Sequence, residues 1–166
     1  MKRPRPVPPA PGQESVWDYP RPPRLERTSH RIAIEHRGVT LVDSTRAWRV
    51  LETSHPPVYF VPQEDVREGA LQPSSRRASG CEWKGRAVYF DVDVGGELLP
   101  ASAFAYPDPT PAFKPIADCV AFYAGPFEAC RVGAEVAQPQ PGDFYAGWIT
   151  RDVVGPFKGE PGTMGW

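Results

Sequence analysis

Proline is spread along the whole chain, and it limits the helices that this sequence can form. The 166 residues contain 22 prolines and 15 glycines. Because proline lacks a backbone N–H and its ring clashes with the preceding helical turn, it breaks helix interiors. This distribution excludes a helix bundle or a coiled coil. Hydrophobic residues make up 40% of the chain and aromatic residues 11%, which is enough for a folded core and atypical of a disordered protein.

Length, charge and cysteine use narrow the class of protein further. A chain of 166 residues suits one domain. The 19 basic and 20 acidic residues give a net charge of −1, which argues against the broad basic surface of a nucleic-acid-binding domain. No apolar stretch is long enough for a signal peptide or a membrane span. Cys81, Cys119 and Cys130 form no Cys-x-x-Cys pair, so we expect a cytoplasmic protein with reduced thiols, at least two of them buried.

The N-terminus differs in composition from the rest of the chain. Eight of the prolines lie in the first 26 residues. Residues 1–14 therefore predict a polyproline-like arm, either a solvated tail or a ligand for a proline-binding groove. Trp17 and Tyr19 are unusual in a tail, so we expect residues 15–20 to bury these rings against the domain. Residues 15–166 then form a single domain with a packed C-terminal segment rich in glycine, proline and aromatic residues.

Alternating polar and apolar residues predict a mainly β domain of short antiparallel strands with one or two helical turns. The turn signal Arg37-Gly38 joins two strands into a hairpin. In residues 86–94, Val88, Phe90, Val92 and Val94 share one face, and the other face carries Tyr89 and two aspartates. The predicted strands are 31–35, 39–43, 49–52, 58–61, 86–94, 101–106, 120–123 and 130–136, with helical turns at 63–66 and 112–117 and a loop at 74–79.

Glu52, Thr53, Ser54, His55 and Tyr59 place a carboxylate, two hydroxyls, an imidazole and a phenol within eight residues. Glu52 and His55 are candidate catalytic residues because a carboxylate and an imidazole can share a proton in acid–base chemistry. A nucleophilic Ser54 is not expected, since neighbours in sequence rarely point at each other. The alternative is that the hydroxyls shape a turn.

A second candidate site is Cys81-Glu82-Trp83-Lys84-Gly85. A lysine beside a thiol favours the thiolate, and a lysine before glycine can also bind a phosphate or carboxylate. The alternative is a buried thiol and a surface lysine at a turn. We expect Tyr59, Cys81, Lys84 and Tyr106 to bind a ligand in one pocket with Glu52 and His55.

Asp91 and Asp93 form a third candidate, because residues two apart on a strand share a face. Two carboxylates placed in this way can hold Mg²⁺ for nucleotidyl transfer with a nucleoside triphosphate. The alternative is a solvated strand face, and apart from this possibility we expect no metal and no cofactor. His30, His36 and the cysteines lack the ligand spacing of a zinc site.

Several runs, in order and at matching spacing, resemble domain-of-unknown-function family 427, which is also named as a nucleotidyltransferase domain. The resemblance extends from Val16 to Trp166. The resemblance implies a single domain of the β-tent type. Relatives of that fold hold structural zinc with Cys-x-x-Cys pairs, which this chain lacks, so the resemblance implies such a domain without its metal. Cys119 stands where the family leads us to expect histidine, and we expect it to pack in the core. The runs are Val50-Leu51-Glu52-Thr53-Ser54-His55-Pro56-Pro57, Cys81-Glu82-Trp83-Lys84-Gly85, Tyr106-Pro107-Asp108-Pro109, Ile116-Ala117-Asp118, Val120-Ala121-Phe122-Tyr123 and Gly147-Trp148-Ile149-Thr150.

Three functions follow from these features. The first is a pocket for a small, anionic molecule, with or without catalysis, in which Lys84 holds the anion and Glu52 or His55 moves a proton. The second is metal-dependent nucleotidyl transfer at Asp91 and Asp93. The third is a non-catalytic module that contacts a partner protein. The sequence predicts no nucleic-acid or membrane partner and leaves a homodimer open.

Overall fold

The computed structural model describes residues 3–166, which form short β-strands and three 3₁₀ helices. Strands make up 42% of the chain and helical residues 7%, which confirms the mainly β prediction. The 3₁₀ helices are Val16–Asp18, Gln63–Asp65 and Pro111–Ile116. The strands are β1 (Glu14–Ser15), β2 (Arg24–Arg27), β3 (Ile32–His36), β4 (Val39–Ser44), β5 (Trp48–Leu51), β6 (Val58–Pro62), β7 (Leu71–Pro73), β8 (Ser79–Cys81), β9 (Gly85–Val94), β10 (Glu97–Ala105), β11 (Cys119–Phe122), β12 (Ala129–Val132), β13 (Glu135–Val136), β14 (Gln138–Pro139), β15 (Trp148–Ile149) and β16 (Val153–Val154).

An antiparallel sheet of eight strands is the centre of the molecule. Its order is β2-β5-β6-β11-β10-β9-β7, and β8 pairs with β9 as well. The long hairpin of β9 and β10 contains a register shift between Leu99 and Ala103. At this bulge Ala101 has a φ of +46°, and its N–H donates to Asp91 Oδ1 over 2.8 Å.

The two faces of this sheet pack into separate hydrophobic clusters. On β11, Val120 and Phe122 belong to one cluster, and Cys119 and Ala121 belong to the other. Alternation along the other central strands repeats this division. We call the first the core face, which includes Val61, Val92 and Val94. We call the second the cavity face, which includes Phe60, Ala87, Tyr89 and Phe104.

A second sheet, with the order β13-β12-β3-β4, covers the core face. The predicted hairpin is present, and Ile32 pairs with Ser44 and His36 with Val39. Ile34, Leu41 and Cys130 are buried in the core-face cluster. This sheet therefore shields the core face from solvent and leaves the cavity face to be covered by other segments.

The face of β9 that carries Tyr89, Asp91 and Asp93 changes in character along the strand. Tyr89 is 7% exposed and joins the cavity-face cluster, although it shares a strand face with the exposed Asp93. The cause is that the cavity face covers only the first half of β9. The second half of this face carries Asp91 and Asp93.

The N-terminal segment is tied to the C-terminal segment. As predicted, Trp17 and Tyr19 are buried, at 7% and 6% exposure. β1 pairs in parallel with β16, and the Val7 N–H donates to the Gly155 carbonyl over 2.8 Å. The predicted arm at 1–14 is mostly exposed, and its first two residues lie outside the described residues. None of the helices in residues 3–166 combines the length and apolarity needed to cross a bilayer.

Candidate functional site

A cavity of about 200 Å³ opens on the cavity face of the large sheet. β5, β6, β9 and β10 form its floor, the β8–β9 hairpin forms one side, and residues 140–146 form another. Seven of its 18 lining residues are Phe or Tyr, and the lining contains one carboxylate, that of Glu52. The lining residues are Val50, Glu52, His55, Val58, Phe60, Ser79, Gly80, Cys81, Lys84, Ala87, Tyr89, Phe104, Tyr106, Tyr123, Gln140, Phe144, Tyr145 and Ala146.

Lys84 reaches the cavity from the tip of the β8–β9 hairpin. Gly85 has a φ of +110°, a conformation that favours glycine, and a Cβ added there would lie 3.2 Å from the Asp108 carbonyl oxygen. The close approach lets Thr110 bind the tip: its N–H donates to the Lys84 carbonyl over 3.1 Å, and its hydroxyl donates to the Trp83 carbonyl over 2.7 Å. The sequence Trp-Lys-Gly therefore holds Lys84 in place through its backbone.

Two ammonium groups near the cavity lie over aromatic rings. Lys84 Nζ is 5.7 Å from the Tyr106 ring centroid, and Lys158 Nζ is 5.3 Å from that of Tyr145. Lys158 is only 9% exposed. Within residues 3–166, neither lysine forms an ion pair with a carboxylate. Ring faces stabilise a cation weakly, so both ammonium groups remain available to an anion.

Glu52 and His55 are brought together by a tight turn. The His55 N–H donates to the Glu52 carbonyl over 3.0 Å, and Ser54 takes a φ of +72°. A positive φ at the third residue is the geometry of a type II turn. His55 Nε2 then lies 3.6 Å from Glu52 Oε2, which is too long for a good hydrogen bond. Arg21 Nη2 approaches the same oxygen at 3.4 Å.

The other ring nitrogen of His55 is held by Gln140. Gln140 Nε2 donates to His55 Nδ1 over 3.0 Å and to the Lys158 carbonyl over 2.9 Å, and its Oε1 accepts the Gly147 N–H over 3.0 Å. Burial, followed by the charges of Lys158, Arg21 and Lys84, lowers the pKa of His55 to about 3. These causes outweigh Glu52, and His55 is neutral at physiological pH. As a neutral ring it is a poor partner for the proton-sharing pair that the sequence suggested.

Two hydroxyl groups near this turn differ in what they can contact. The Ser54 hydroxyl is fully buried, lacks a hydrogen bond and is absent from the cavity lining. The Tyr106 hydroxyl also has no hydrogen-bond partner among residues 3–166. Within these residues, Ser54 Oγ is the only side-chain atom that is both buried and unpartnered, so the Tyr106 hydroxyl is reachable by solvent. Burial, with Cys81 as the next cause, raises the pKa of Tyr106 above its ordinary value. Tyr106 therefore stays protonated and can donate a hydrogen bond.

Five of the six residues predicted to share a pocket do line this cavity: Glu52, His55, Cys81, Lys84 and Tyr106. Tyr59 does not. It alternates with Val58 and Phe60 on β6, so it packs on the core face, with its ring centroid 5.5 Å from that of Trp148. Sequence reasoning missed Gln140, Tyr145 and Lys158, which lie in or beside irregular segments without a strand or motif signal.

The three thiols fall into two environments. Cys119 and Cys130 are 4% and 2% exposed, as predicted for at least two cysteines. Burial raises the pKa of Cys119 to about 11 and that of Cys130 to about 12. Cys119 packs in the cavity-face cluster but does not line the cavity. Cys81 is half-buried and faces the cavity.

Asp91 and Asp93 lie away from the cavity lining. Asp91 accepts the Ala101 N–H at the bulge, and Asp93 accepts the Gly96 N–H in the β9–β10 turn over 3.2 Å. Both carboxylates therefore have a structural role in the hairpin. In the part of the chain that the structure describes, no group of three or more His, Cys, Asp or Glu side chains is placed to hold a metal ion.

Comparison with known protein families gives a match over most of the chain. No curated protein matches the chain. A family model described as a domain of unknown function, DUF427, and labelled NTP_transf_9 matches residues 24–133, which is more than half of the chain. Five cavity residues that the sequence predicted lie inside the matched segment, while Gln140 and Lys158 lie beyond it. The chain therefore belongs to the DUF427 family.

Proposed function

We propose that the cavity binds a small organic anion, with its charged group at Lys84 and its apolar part against the aromatic rings. The observation that carries this proposal is the charge of the site. Two lysines without a carboxylate partner lie beside an aromatic cavity whose lining has one carboxylate. Lys158 is largely buried and Lys84 is partly buried, and a nearby counter-charge stabilises a cation in such a place. An anionic ligand supplies that charge.

The volume of the cavity supports a small ligand. Pockets for drug-sized molecules span about 300–1,000 Å³. The 200 Å³ measured here is smaller and suits a single-ring carboxylate better than a nucleoside triphosphate. The ring faces of Tyr106 and Phe104 provide apolar contact for such a ring.

The lining also favours binding over catalysis by histidine. His55 is neutral, and its Nδ1 is occupied by Gln140. If the bound anion is a substrate, Glu52 is the one cavity carboxylate available to accept a proton. His55 then serves as a hydrogen-bond donor.

Isothermal titration calorimetry with benzoate, phenyl phosphate and uncharged benzyl alcohol tests this function. We expect both anions to bind and benzyl alcohol not to bind. Lys84→Met should weaken the anions at least tenfold, because it removes the charge and keeps the chain length. Lys114→Met, which removes an exposed lysine outside the cavity, is the matched control and should change nothing. Equal binding of benzyl alcohol, or no effect of Lys84→Met, would refute an anion site.

The metal-dependent alternative is tested with Mg²⁺ and adenosine triphosphate in a thermal-shift assay. A ligand that binds the native state must stabilise it. Stabilisation by the mixture that disappears in both Asp91→Asn and Asp93→Asn would support nucleotidyl transfer. We expect no stabilisation, since both aspartates bind backbone N–H groups of the hairpin. Deletion of residues 1–13 tests the interaction-module alternative, because unchanged capture of a partner protein would show that the arm does not bind it.

A further inference from the structure

We propose that Gln140 is a positioning residue that holds His55 in one neutral tautomer, with the proton on Nε2. As a result, this end of the cavity accepts only a ligand oxygen that can receive a hydrogen bond. The ligand class is then a small carboxylate or carbonyl compound. The ligand class rests on the proposed function. The tautomer of His55 does not, because it follows from contacts within the chain.

The orientation of the Gln140 amide is set by two backbone groups of opposite polarity. The Gly147 N–H is a donor, so the amide oxygen must face it. The Lys158 carbonyl is an acceptor, so the amide NH₂ must face it. A flipped amide would place donor against donor and acceptor against acceptor. Gln140 is 2% exposed, so water cannot relieve such a clash.

The fixed amide in turn sets the proton of His55. With its NH₂ aimed at Nδ1, that nitrogen must offer a lone pair, and the single proton of the neutral ring sits on Nε2. A charged ring would put an Nδ1–H against the NH₂ of Gln140. Other groups also face His55. The cations Lys158, Arg21 and Lys84 favour the neutral ring, whereas the carboxylate of Glu52 favours the charged ring. The ring of Tyr145 lies against the imidazole, with its centroid 4.7 Å away.

Among residues 3–166, the His55 Nε2–H therefore has no acceptor within hydrogen-bond distance. Glu52 Oε2 lies 3.6 Å from it and is shared with Arg21. The nitrogen is reachable by solvent, since it is not among the buried unpartnered atoms of residues 3–166. A ligand oxygen at hydrogen-bond distance can accept the hydrogen bond of this N–H. A ligand ammonium group would instead place its own N–H against the Nε2–H.

The tautomer is tested by ¹⁵N NMR of the full chain without any ligand, with His55 assigned through a His55→Gln variant. We expect the ring signals of a neutral, Nε2-protonated histidine that stay unchanged from pH 8 to pH 5. Titration within this range, or an Nδ1-protonated ring, would overturn the proposal. A purely structural glutamine predicts neither the tautomer nor its constancy.

Gln140→Glu sharpens the test. The carboxylate of this variant would accept a hydrogen bond from an Nδ1–H. His55 should therefore titrate between pH 5 and pH 8, or move its proton from Nε2 to Nδ1. A folded Gln140→Glu protein whose His55 signals match those of the wild type would contradict the positioning role. Gln140→Met, which removes the donor without adding charge, should give a mixture of the two tautomers. A single Nε2-protonated tautomer in that variant would also contradict the role.

The ligand class is tested with two substitutions of His55, each of which places an amide nitrogen near one of the two ring-nitrogen positions. The glutamine amide in His55→Gln can donate from about the place of Nε2, whereas the asparagine amide in His55→Asn lies near Nδ1. With benzoate as the probe, His55→Gln should bind within about threefold of the wild type, and His55→Asn at least tenfold more weakly. Benzylamine should not bind. The reverse order of the two variants, or tight benzylamine binding, would overturn the acceptor requirement. If benzoate binds to no form, the proposed function fails, while the NMR result still decides the role of Gln140.

Discussion

The two faces of the eight-stranded sheet are built from alternate residues of the same strands, yet they pack in different ways. On the core face, Val61, Val92 and Val120 are almost fully buried beneath the second sheet. On the cavity face, Phe104 is surrounded by the rings of Phe60, Tyr89, Tyr106 and Tyr123 at centroid distances of 5.5–6.2 Å. One face is rich in aliphatic residues and the other in aromatic residues.

Under the proposed function, this single sheet separates stability on one face from recognition on the other. Branched aliphatic side chains fill space by interdigitation and leave few voids. Aromatic rings are rigid and prefer edge-to-face contacts, so the rings of a cluster hold one another in place. Such a cluster can leave a gap between rings into which a flat ligand would fit. We therefore expect truncations on the core face to cost mainly free energy of unfolding, and truncations around the cavity to cost mainly binding.

The largest expected effect is on the core face. Phe122→Ala removes a ring that is 2% exposed and packs on Phe127 at 5.8 Å. It should lower the free energy of unfolding by about 3–5 kcal/mol. Phe144→Ala, at the rim of the cavity, removes a ring that is 57% exposed and should cost less than about 0.5 kcal/mol. Urea denaturation followed by circular dichroism measures both, and equal losses would break the comparison.

Two glycines beside the cavity should respond with opposite signs. Gly85→Ala forces a Cβ into a φ of +110° and against the Asp108 carbonyl, so it should destabilise the fold by about 1–3 kcal/mol and weaken benzoate binding through Lys84. Gly80→Ala meets no atom within 4 Å and no positive φ. It should be neutral or stabilise the fold by about 0.4–1 kcal/mol. Thermal or urea unfolding of both variants is the measurement, and a stable Gly85→Ala protein would show that the hairpin tip is not constrained.

A smaller effect concerns pH. The pKa of His55 is about 3 in the folded chain, below its ordinary value of 6.5. Below pH 6.5 the unfolded chain binds a proton at His55 that the folded chain does not bind, so stability is lost as the pH falls towards 3. From pH 6 to pH 5 this amounts to about 1 kcal/mol. The stability difference between the wild type and His55→Gln, measured by urea denaturation, should change by this amount in favour of the variant. Parallel stability curves would mean that His55 is exposed to water.

The last prediction changes reaction rates and not stability. Cys81 faces the cavity, whereas burial raises the pKa of Cys119 and Cys130 to about 11 and about 12. Because the thiolate is the reactive form, iodoacetamide should label Cys81 first in the native protein. Bound benzoate should slow this labelling. Mass spectrometry of the peptides identifies the labelled residue, and early labelling of Cys130 would indicate that the core face opens.

Local patterns predicted much of the fold. The hairpin of β3 and β4 follows from alternation and a two-residue turn, both of which are visible within a dozen residues. Glu52 and His55 were identified because they are close in sequence, and Lys84 because glycine follows it. The pairing of β8 with β9 and of β5 with β6 then brings these short-range signals to one face.

Other parts of the site depend on distant contacts. Gln140 reaches His55 across 85 positions of the chain, from a segment with no periodic pattern. Tyr59 was placed on the wrong face because β6 is buried on both faces, and a strand without a polar side gives no sign of which residues face which cluster. In each case the deciding information lies in what packs above the strand.

The parallel pairing of β1 with β16 has a consequence for where this domain can be cut. This pairing connects the N-terminal and C-terminal segments next to Trp17. The indole N–H of Trp17 donates to the Pro156 carbonyl over 2.8 Å. Residues 140–158, which supply Gln140, Tyr145 and Lys158, are held by this closure. A fragment trimmed to the matched residues 24–133 would keep every strand of the large sheet and lose the wall over His55. The smallest unit that keeps both walls of the cavity is therefore longer than the family match and includes the segments that carry β1 and β16.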